Sequence, residues 1–539
     1  MTDLLEAVLA TADARGDSPA LTHAGRTLSY AELARGIRSV SAGLREEGLA
    51  PGDRVLFSVR PGVDAVLLAL GIVHAGGTVV FADPGAGEAL FRARAALAAP
   101  RFVAAESLLY LASSGPLRRL ARRRGLELAP YARLVPDARH IYAGPWLPGV
   151  PRGALPFARW SRSAPSGSGG SRRPRSGSGG SRRPRSGRVE TSEHTPPDLD
   201  TPPSTATRSP EALIIFTSGT TDAPKAVVHS RTGLGAGLAD FAAEVGMRAG
   251  QRVLTDQLMV GVPALIAGAH WSIPPAGANP GARPAHYLGL LPEAEVLFAV
   301  PAAMDAILRA LDEDPTRTPP RLDTIVLGGA PVLRPLLERI VARFPGVRIR
   351  AVYGMTEILP VAIADGAEKL RAEPGEGDPV GRVVPSVTAR IVAGELVLSG
   401  PGLALGYLGG EPLTELATGD LARLDAQGLR LLGRRKEMFI RGSQNIYPGL
   451  YEPIVAGLPG VIDAALAGVP DAIGDDRIVL ALVVDAPGVL ERVRRALPGL
   501  LDAGALPDAV VVLPELPRTG RSRKLDRAAL SRILQDQVL

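Results

Sequence analysis

Short apolar runs alternate along this chain with longer stretches whose apolar residues recur at helical spacing, a pattern that predicts layered α/β architecture. Ala212–Phe216, Leu322–Leu327, Val347–Val352 and Ile478–Val484 read as buried strands, and Val332–Phe344 and Val489–Leu497 as helices. Gly328–Pro331, GGAP, reads as the turn between one such strand and its helix. The apolar run Ala65–Ala82 is near the lower length limit of a membrane span, but His74 and the pair Gly76-Gly77 interrupt it. A helix ending at the glycines, followed by a β-branched strand Thr78–Ala82, accounts for the same residues as buried core. The segments after Gly433 carry strands and helices of their own, so the expected division is 1–433 and 434–539.

The 539 residues suffice for several domain-sized units with a sizeable core. Cysteine is absent, which excludes disulfides, thiolate metal sites and a cysteine nucleophile together. Near the amino terminus Asp3 and Glu6 stand where a secretory signal would carry positive charge, so no export and a cytoplasmic location are expected. The net charge of +6 is concentrated in one place: eight arginines and no acidic residue lie between Ser161 and Arg188, and without them the chain carries −2. That tract holds the ten-residue repeat SGSGGSRRPR at Ser166–Arg175 and again at Ser176–Arg185. Residues 161–210 have almost no apolar side chains with which to offset the entropy of ordering, so a disordered, solvated insertion is expected. No aromatic residue interleaves the arginines to stack on bases, and no nucleic-acid partner is expected.

The chemistry begins directly after the strand Ala212–Phe216, in FTSGTTDAPKAV at Phe216–Val227. Thr217, Ser218, Thr220 and Thr221 offer hydroxyl donors, Gly219 lets backbone approach an anion, and Lys225 supplies positive charge. The order of glycine, lysine and hydroxyl residues is not that of a Walker loop. Further motifs follow: VYGMTE at Val352–Glu357, TGD at Thr418–Asp420, GRRKEMFIRGSQNIYPGLYE at Gly433–Glu452, and PRTGRSRKLDR at Pro517–Arg527. Weaker echoes lie in Thr27–Phe57 and in GELVLSGPGLALGY at Gly394–Tyr407.

In this order and at these distances the series resembles the adenylate-forming superfamily of acyl-CoA synthetases, nonribosomal-peptide adenylation domains and luciferases. The resemblance implies a large adenylation domain followed by a small mobile α+β domain. It also implies attack of a carboxylic acid on the α-phosphorus of ATP to give acyl-AMP and pyrophosphate. By the same resemblance Thr217, Ser218, Gly219, Thr220, Thr221 and Lys225 hold the β- and γ-phosphates. Glu357 binds Mg²⁺, with Thr217 as a further oxygen ligand. Thr356 reaches the α-phosphate, Tyr353 stacks on adenine against Gly329, Ala330 and Pro331, and Asp420 with Arg434 takes the ribose. Lys524 bridges the substrate carboxylate and the α-phosphate. Outside these motifs Glu357 alone would read as a surface acid opening a helix, Asp420 as a turn cap and Lys524 as a solvated tail residue.

Asp222 and Ala226 stand where the family has glycines, and Arg523 replaces the glycine before the lysine. A carboxylate at about 5 Å from a phosphate charge would cost roughly 3 kcal/mol at an effective dielectric of about 20. Aspartate tolerates left-handed backbone, so the turn is compatible with a carboxylate pointed outward. For the second step the resemblance implies rotation of the small domain near Lys436, with Gly442 leaving room for phosphopantetheine. CoA is the expected acceptor, with a carrier-protein thiol as the other thiol candidate. Gln257, Leu258, Met259 and Val260 suggest an apolar acyl pocket suited to an aliphatic chain. Two alternatives stay open. GMTEILPVA and FADPGAG resemble segments of olefin-pathway β-lactone synthetases, which need no CoA; and the altered loop fits a nucleotide-binding protein that has lost catalysis.

Overall fold

The computed structural model describes the chain except residues 1–2, 85–86, 116, 120–127, 162–210, 218–224, 279, 281–282, 315–321, 374–375, 438, 442–443, 471–475, 502–504, 520–523 and 539. The Arg-rich tract from 162 therefore lies outside the described residues, as do Ser218, Gly219, Thr220, Thr221, Asp222, Gly442 and Arg523.

Mixed α/β layers are built on two large sheets of eight and 13 strands. Each sheet contains a run of parallel strands that turns antiparallel at one end, and the larger carries a further antiparallel pair, Pro19–His23 with Arg26–Ser29, at its other edge. In the smaller sheet Thr78–Phe81 pairs parallel with Glu211–Thr217, which then pairs antiparallel with Lys225–Ser230. In the larger, Val296–Ala299, Thr324–Gly328 and Arg348–Met355 run parallel, and Arg348–Met355 pairs antiparallel with Ile358–Asp365. A parallel neighbour needs a long crossover, whereas an antiparallel one needs only a short connection. At two of its short reversals lie the phosphate-loop motif and the YGMTE motif.

The expected strands and helices form with small boundary shifts, and one shift changes the reading of the site. The strand expected to end at Val352 continues through Met355, because the ladder with Ile358–Asp365 extends it. Tyr353 thus lies within a strand, and Thr356 and Glu357 form a two-residue turn between strands rather than the start of a helix. The apolar run near residue 65 is a helix, Val63–His74, followed by the strand Thr78–Phe81, and nearly all of its aliphatic side chains are buried. No helix among the described residues is long and apolar enough to cross a membrane.

The strands after Arg434 pair among themselves, in a three-stranded sheet and two hairpins. Two apolar clusters fill this part, one around Leu480, Leu482 and Val493 and the other around Val479, Leu530 and Leu534.

The helix Arg231–Val245 holds the YGMTE hairpin from behind. Gly233 and Gly237, one turn apart, bring its backbone against neighbouring carbonyls; a methyl built on Gly237 would lie 2.6 Å from the Leu359 carbonyl oxygen. Backbone cannot give way as a side-chain end can. Gly237→Ala should therefore cost about 1–3 kcal/mol in chemical denaturation. Gly499→Ala, where an added methyl meets nothing, should cost none.

His74 ends the helix Val63–His74, and burial, reinforced by Arg45, Arg231 and Arg38 against the opposing Asp3, lowers its pKa from 6.5 to about 4. Below pH 6.5 the unfolded chain takes up a proton that the folded chain refuses, so stability is full above that pH and falls as the pH drops toward about 4. Urea unfolding at about pH 7.5 and about pH 5 should show this loss, and His74→Gln should make it smaller, with His23, His140, His229 and His270, lowered by burial too, accounting for part of the remainder.

Candidate active site

The two hairpins meet through a third segment. Leu405 N–H donates to the Val228 carbonyl and Leu408 N–H to the Ala226 carbonyl, both at 2.8 Å, which lays Gly406–Tyr407 along the strand Lys225–Ser230. Ala404 N–H donates to the Glu357 carbonyl at 2.8 Å, and Leu403 bridges to Ile358. Residues 403–408 therefore fix the end of the phosphate-loop hairpin against the Thr356-Glu357 turn.

Thr217 and Lys225, the residues flanking 218–224, are cross-strand partners. Ala226, which replaces a glycine of the family pattern, pairs with Phe216, and its methyl is buried in the core. That departure is absorbed by packing. The Lys225 ammonium sits 5.6 Å from the centroid of the Tyr407 ring, within range of a cation–π attraction. The Tyr407 hydroxyl donates to Glu357 Oε1 at 2.8 Å. Burial, the bond to Glu357 and its negative charge push the Tyr407 phenol up to about 12, so it stays a donor across the physiological range. One tyrosine thus links the lysine of one motif to the carboxylate of another.

His229, on the same strand as Lys225, lies 2.7 Å through Nε2 from the Thr356 carbonyl oxygen. A carbonyl only accepts, so Nε2 carries the proton. Burial lowers the pKa of this imidazole, against the opposing effects of the Thr356 bond and the Glu357 charge, and the ring is a neutral donor. His229 and Tyr407 together pin the turn, one through its backbone and one through its carboxylate.

Four residues before Glu357, on the strand Arg348–Met355, the Tyr353 hydroxyl donates to Asp420 Oδ2, and Arg434 Nε lies 2.8 Å from Asp420 Oδ1. Asp420 is buried, and Asp420 and Arg434 are cross-strand partners. The Asp420 N–H donates to Thr418 Oγ1 at 3.0 Å, so the TGD threonine shapes the irregular stretch of the strand Leu416–Asp425 that presents the aspartate. Burial first, and then the charge of Asp420, raise the Tyr353 phenol far above its ordinary range. Gly329, with φ of +80°, leaves the strand Thr324–Gly328 next to Tyr353, because Gly328 and Val352 are register partners. Gly329 and Pro331 are exposed there and Ala330 is half-buried.

An apolar cavity of about 60 Å³ lies between helices and the eight-stranded sheet, with Leu70, Phe81, Leu238, Leu258 and Met259 in its wall. Leu258 and Met259 are the expected pocket residues; Gln257 instead bonds Asp256 through its side chain, and Val260 is core.

The structure thus joins Lys225, Thr356 and Glu357 in one group and Tyr353, Asp420 and Arg434 in another, along a single strand and its turn. Lys524 is exposed on the hairpin Arg518–Thr519 and Lys524–Leu525, and among the described residues no bond joins it to either group. His229 and Tyr407 carry no role in the sequence reading. Tyr407 closes the weak GELVLSGPGLALGY echo, whereas His229 has no motif signal beyond its position four residues after Lys225.

Comparison with known proteins bears on the whole arrangement. The AMP-binding enzyme family matches residues 8–408, a span that includes both hairpins and the segment joining them. The isonitrile lipopeptide synthase of Streptomyces coeruleorubidus is 27% identical over 557 residues; the match covers 97% of this chain and 33% of that protein, so the chain spans about a third of this relative. The feruloyl-CoA synthase of Amycolatopsis sp is 27% identical over 548 residues, covering 94% of each. Among solved structures, an anthranilate CoA ligase in complex with anthranoyl-AMP superposes with a TM-score of 0.74 at 17% identity, covering 99% of this chain and 98% of that one. The chain belongs to the AMP-binding enzyme family, and its fold is that of acyl-CoA synthetases and related adenylate-forming enzymes.

Proposed function

We propose that the chain activates an aliphatic carboxylic acid with ATP, through an acyl-AMP intermediate and release of pyrophosphate, and then forms a thioester with CoA. The observation that carries this reading is the strand Arg348–Met355 with its turn. At one point it meets a buried carboxylate, Asp420, suited to a ribose diol, and at the other it meets Lys225 and Glu357, suited to phosphates and a cation.

In the proposed reaction a carboxylate oxygen of the acid bonds to the α-phosphorus, and the bond from that phosphorus to the bridging oxygen of the β-phosphate breaks. Both reactants are anions, so the site must hold them together and in line. Lys225, with Thr217, Ser218, Gly219, Thr220 and Thr221, holds the departing pyrophosphate. Glu357 fits Mg²⁺, a hard cation that takes one or two carboxylates together with substrate phosphates, and Thr217 adds a hydroxyl. When bound, that ion screens the phosphate charges. His229 and Tyr407 keep the Glu357 turn oriented, which puts Thr356 toward the α-phosphate. Tyr353, with Gly329–Pro331, borders the adenine, and Asp420 with Arg434 receives the ribose. Lys524 arrives from the segment 434–539, which we take to be a separate unit from 1–433. Leu258 and Met259, in the wall of an apolar cavity, support an aliphatic acid as the substrate. Gly442 in the second unit would border the thiol path.

ATP/pyrophosphate exchange with Mg·ATP and a panel of aliphatic, β-hydroxy and aromatic acids, with and without CoA, tests the reading. Acid-dependent exchange with an aliphatic preference and CoA-dependent product is expected; product without CoA from a β-hydroxy acid would replace the thioester step by lactone formation. Nucleotide binding with no exchange for any acid would leave a binding protein. Glu357→Gln should lower exchange by about 10²-fold or more. Asp420→Asn should act mainly on KM for ATP, raising it roughly ten- to a hundredfold, the worth of hydrogen bonds to a charged group.

A further inference from the structure

Arg527 ends the motif that carries Lys524, and its guanidinium is tied to two carboxylates of the preceding motif. Nη2 lies 2.8 Å from Glu452 Oε2, and Nη1 donates to Glu452 Oε1 at 2.9 Å. Nη1 also donates to the Leu466 carbonyl at 3.0 Å, while Glu452 Oε1 accepts from the Leu466 N–H at 2.7 Å. The pair therefore engages both backbone groups of one residue, Leu466, of the strand Val461–Pro470. The remaining donor, Nε, bonds Glu437 Oε2 at 2.8 Å.

Glu437 is the unusual partner. It lies in the short turn Arg435–Glu437, which directly follows the strand Gly428–Arg434 of the large sheet. The base of the Lys524 hairpin is held on its other side by an ion pair from Arg518 to Asp463. Glu452 and Asp463 root the hairpin in its own unit, and the Glu437 bond connects it to the point where the chain leaves the large sheet. A planar fork donating in three directions can serve both connections at once; a lysine there could not.

We propose that Arg527 is the positioning residue for Lys524. Through Glu437 it couples the lysine hairpin to the exit turn, so that the two move as one body and the lysine reaches the α-phosphate in register. The inference rests on the role proposed for Lys524 in acyl-AMP formation. It also divides the work of the clamp: Glu452 holds the guanidinium in place, and Glu437 sets the direction of the hairpin relative to the sheet.

Exchange rates, AMP affinity and thermal stability of wild type, Lys524→Ala, Arg527→Gln, Arg527→Lys, Glu437→Gln and the double variant Lys524→Ala/Arg527→Gln test it. Arg527→Gln and Glu437→Gln should lower kcat for exchange roughly ten- to a hundredfold, the scale of a misplaced catalytic group, with KM for ATP and AMP affinity unchanged. Arg527→Lys should recover part of the rate, and the double variant should be no slower than Lys524→Ala, because a positioning residue has nothing left to position. Wild-type exchange in Glu437→Gln, or a further loss in the double variant, would overturn the inference while leaving Lys524 in its role. Wild-type exchange in Lys524→Ala would overturn the role of the lysine and the inference with it. Should Arg527→Gln fail to fold, Glu437→Gln decides, since it leaves the Glu452 clamp intact.

Discussion

Three backbone hydrogen bonds, from Ala404, Leu405 and Leu408, hold the two large sheets together at their reversal points. Each sheet turns antiparallel at a short hairpin, and without a connection these hairpins would be free ends of separate sheets. The segment 403–408 bonds to both, so Lys225 and Glu357 are neighbours through rigid backbone rather than long side chains. Tyr407 then spans the remaining gap with a ring and a hydroxyl. The helix Arg231–Val245 closes the arrangement from behind, and its glycines allow an approach that larger residues would forbid.

Electrostatics follow from that geometry. Asp420 is buried but not isolated: Tyr353 and Arg434 bond its two oxygens, which offsets the cost of removing a carboxylate from water. Each carboxylate oxygen can accept more than one bond, so these partners orient Asp420 without exhausting it. The same logic applies to Glu357, oriented by a phenol on one oxygen. Neutral donors suit this purpose, because a cation in the place of Tyr407 would compete with any metal ion for the carboxylate. His229 is likewise neutral and acts on the backbone of the turn, shaping it without adding charge.

Much of this was legible in the sequence, and what was not has a common physical cause. The strand before the phosphate loop, the helix and strand around Gly76, and the pairing of TGD with GRRK are local or nearly local patterns. Strand boundaries near Val352 were misread because the extra residues are held by antiparallel pairing with Ile358–Asp365, a ladder that no local propensity encodes. Tyr407 bonds a residue 50 positions away, and Arg527 bonds partners 75 and 90 positions away. A tyrosine in a glycine-rich strand and an arginine in a basic tail look ordinary until folding supplies their partners. The cavity is the extreme case, since Leu70, Phe81, Leu238 and Leu258 come from separate elements and any one of them reads as core.

The two parts of the chain solve different problems. Around the strand Arg348–Met355 the connections are backbone bonds, close helix packing and neutral side chains, which hold a fixed geometry. Around Lys524 they are ion pairs of two arginines, Arg527 with Glu437 and Glu452 and Arg518 with Asp463, with the lysine itself exposed. Preorganisation is effective where charge must be met by donors already in place. In the proposed reaction Lys524 must also withdraw, which needs a mounting that travels without deforming, and a multiply bonded guanidinium on short elements supplies one. On that proposal the lysine approaches and leaves as part of a rigid body, so that its reach is set by a single turn of chain rather than by the rotamers of its own side chain.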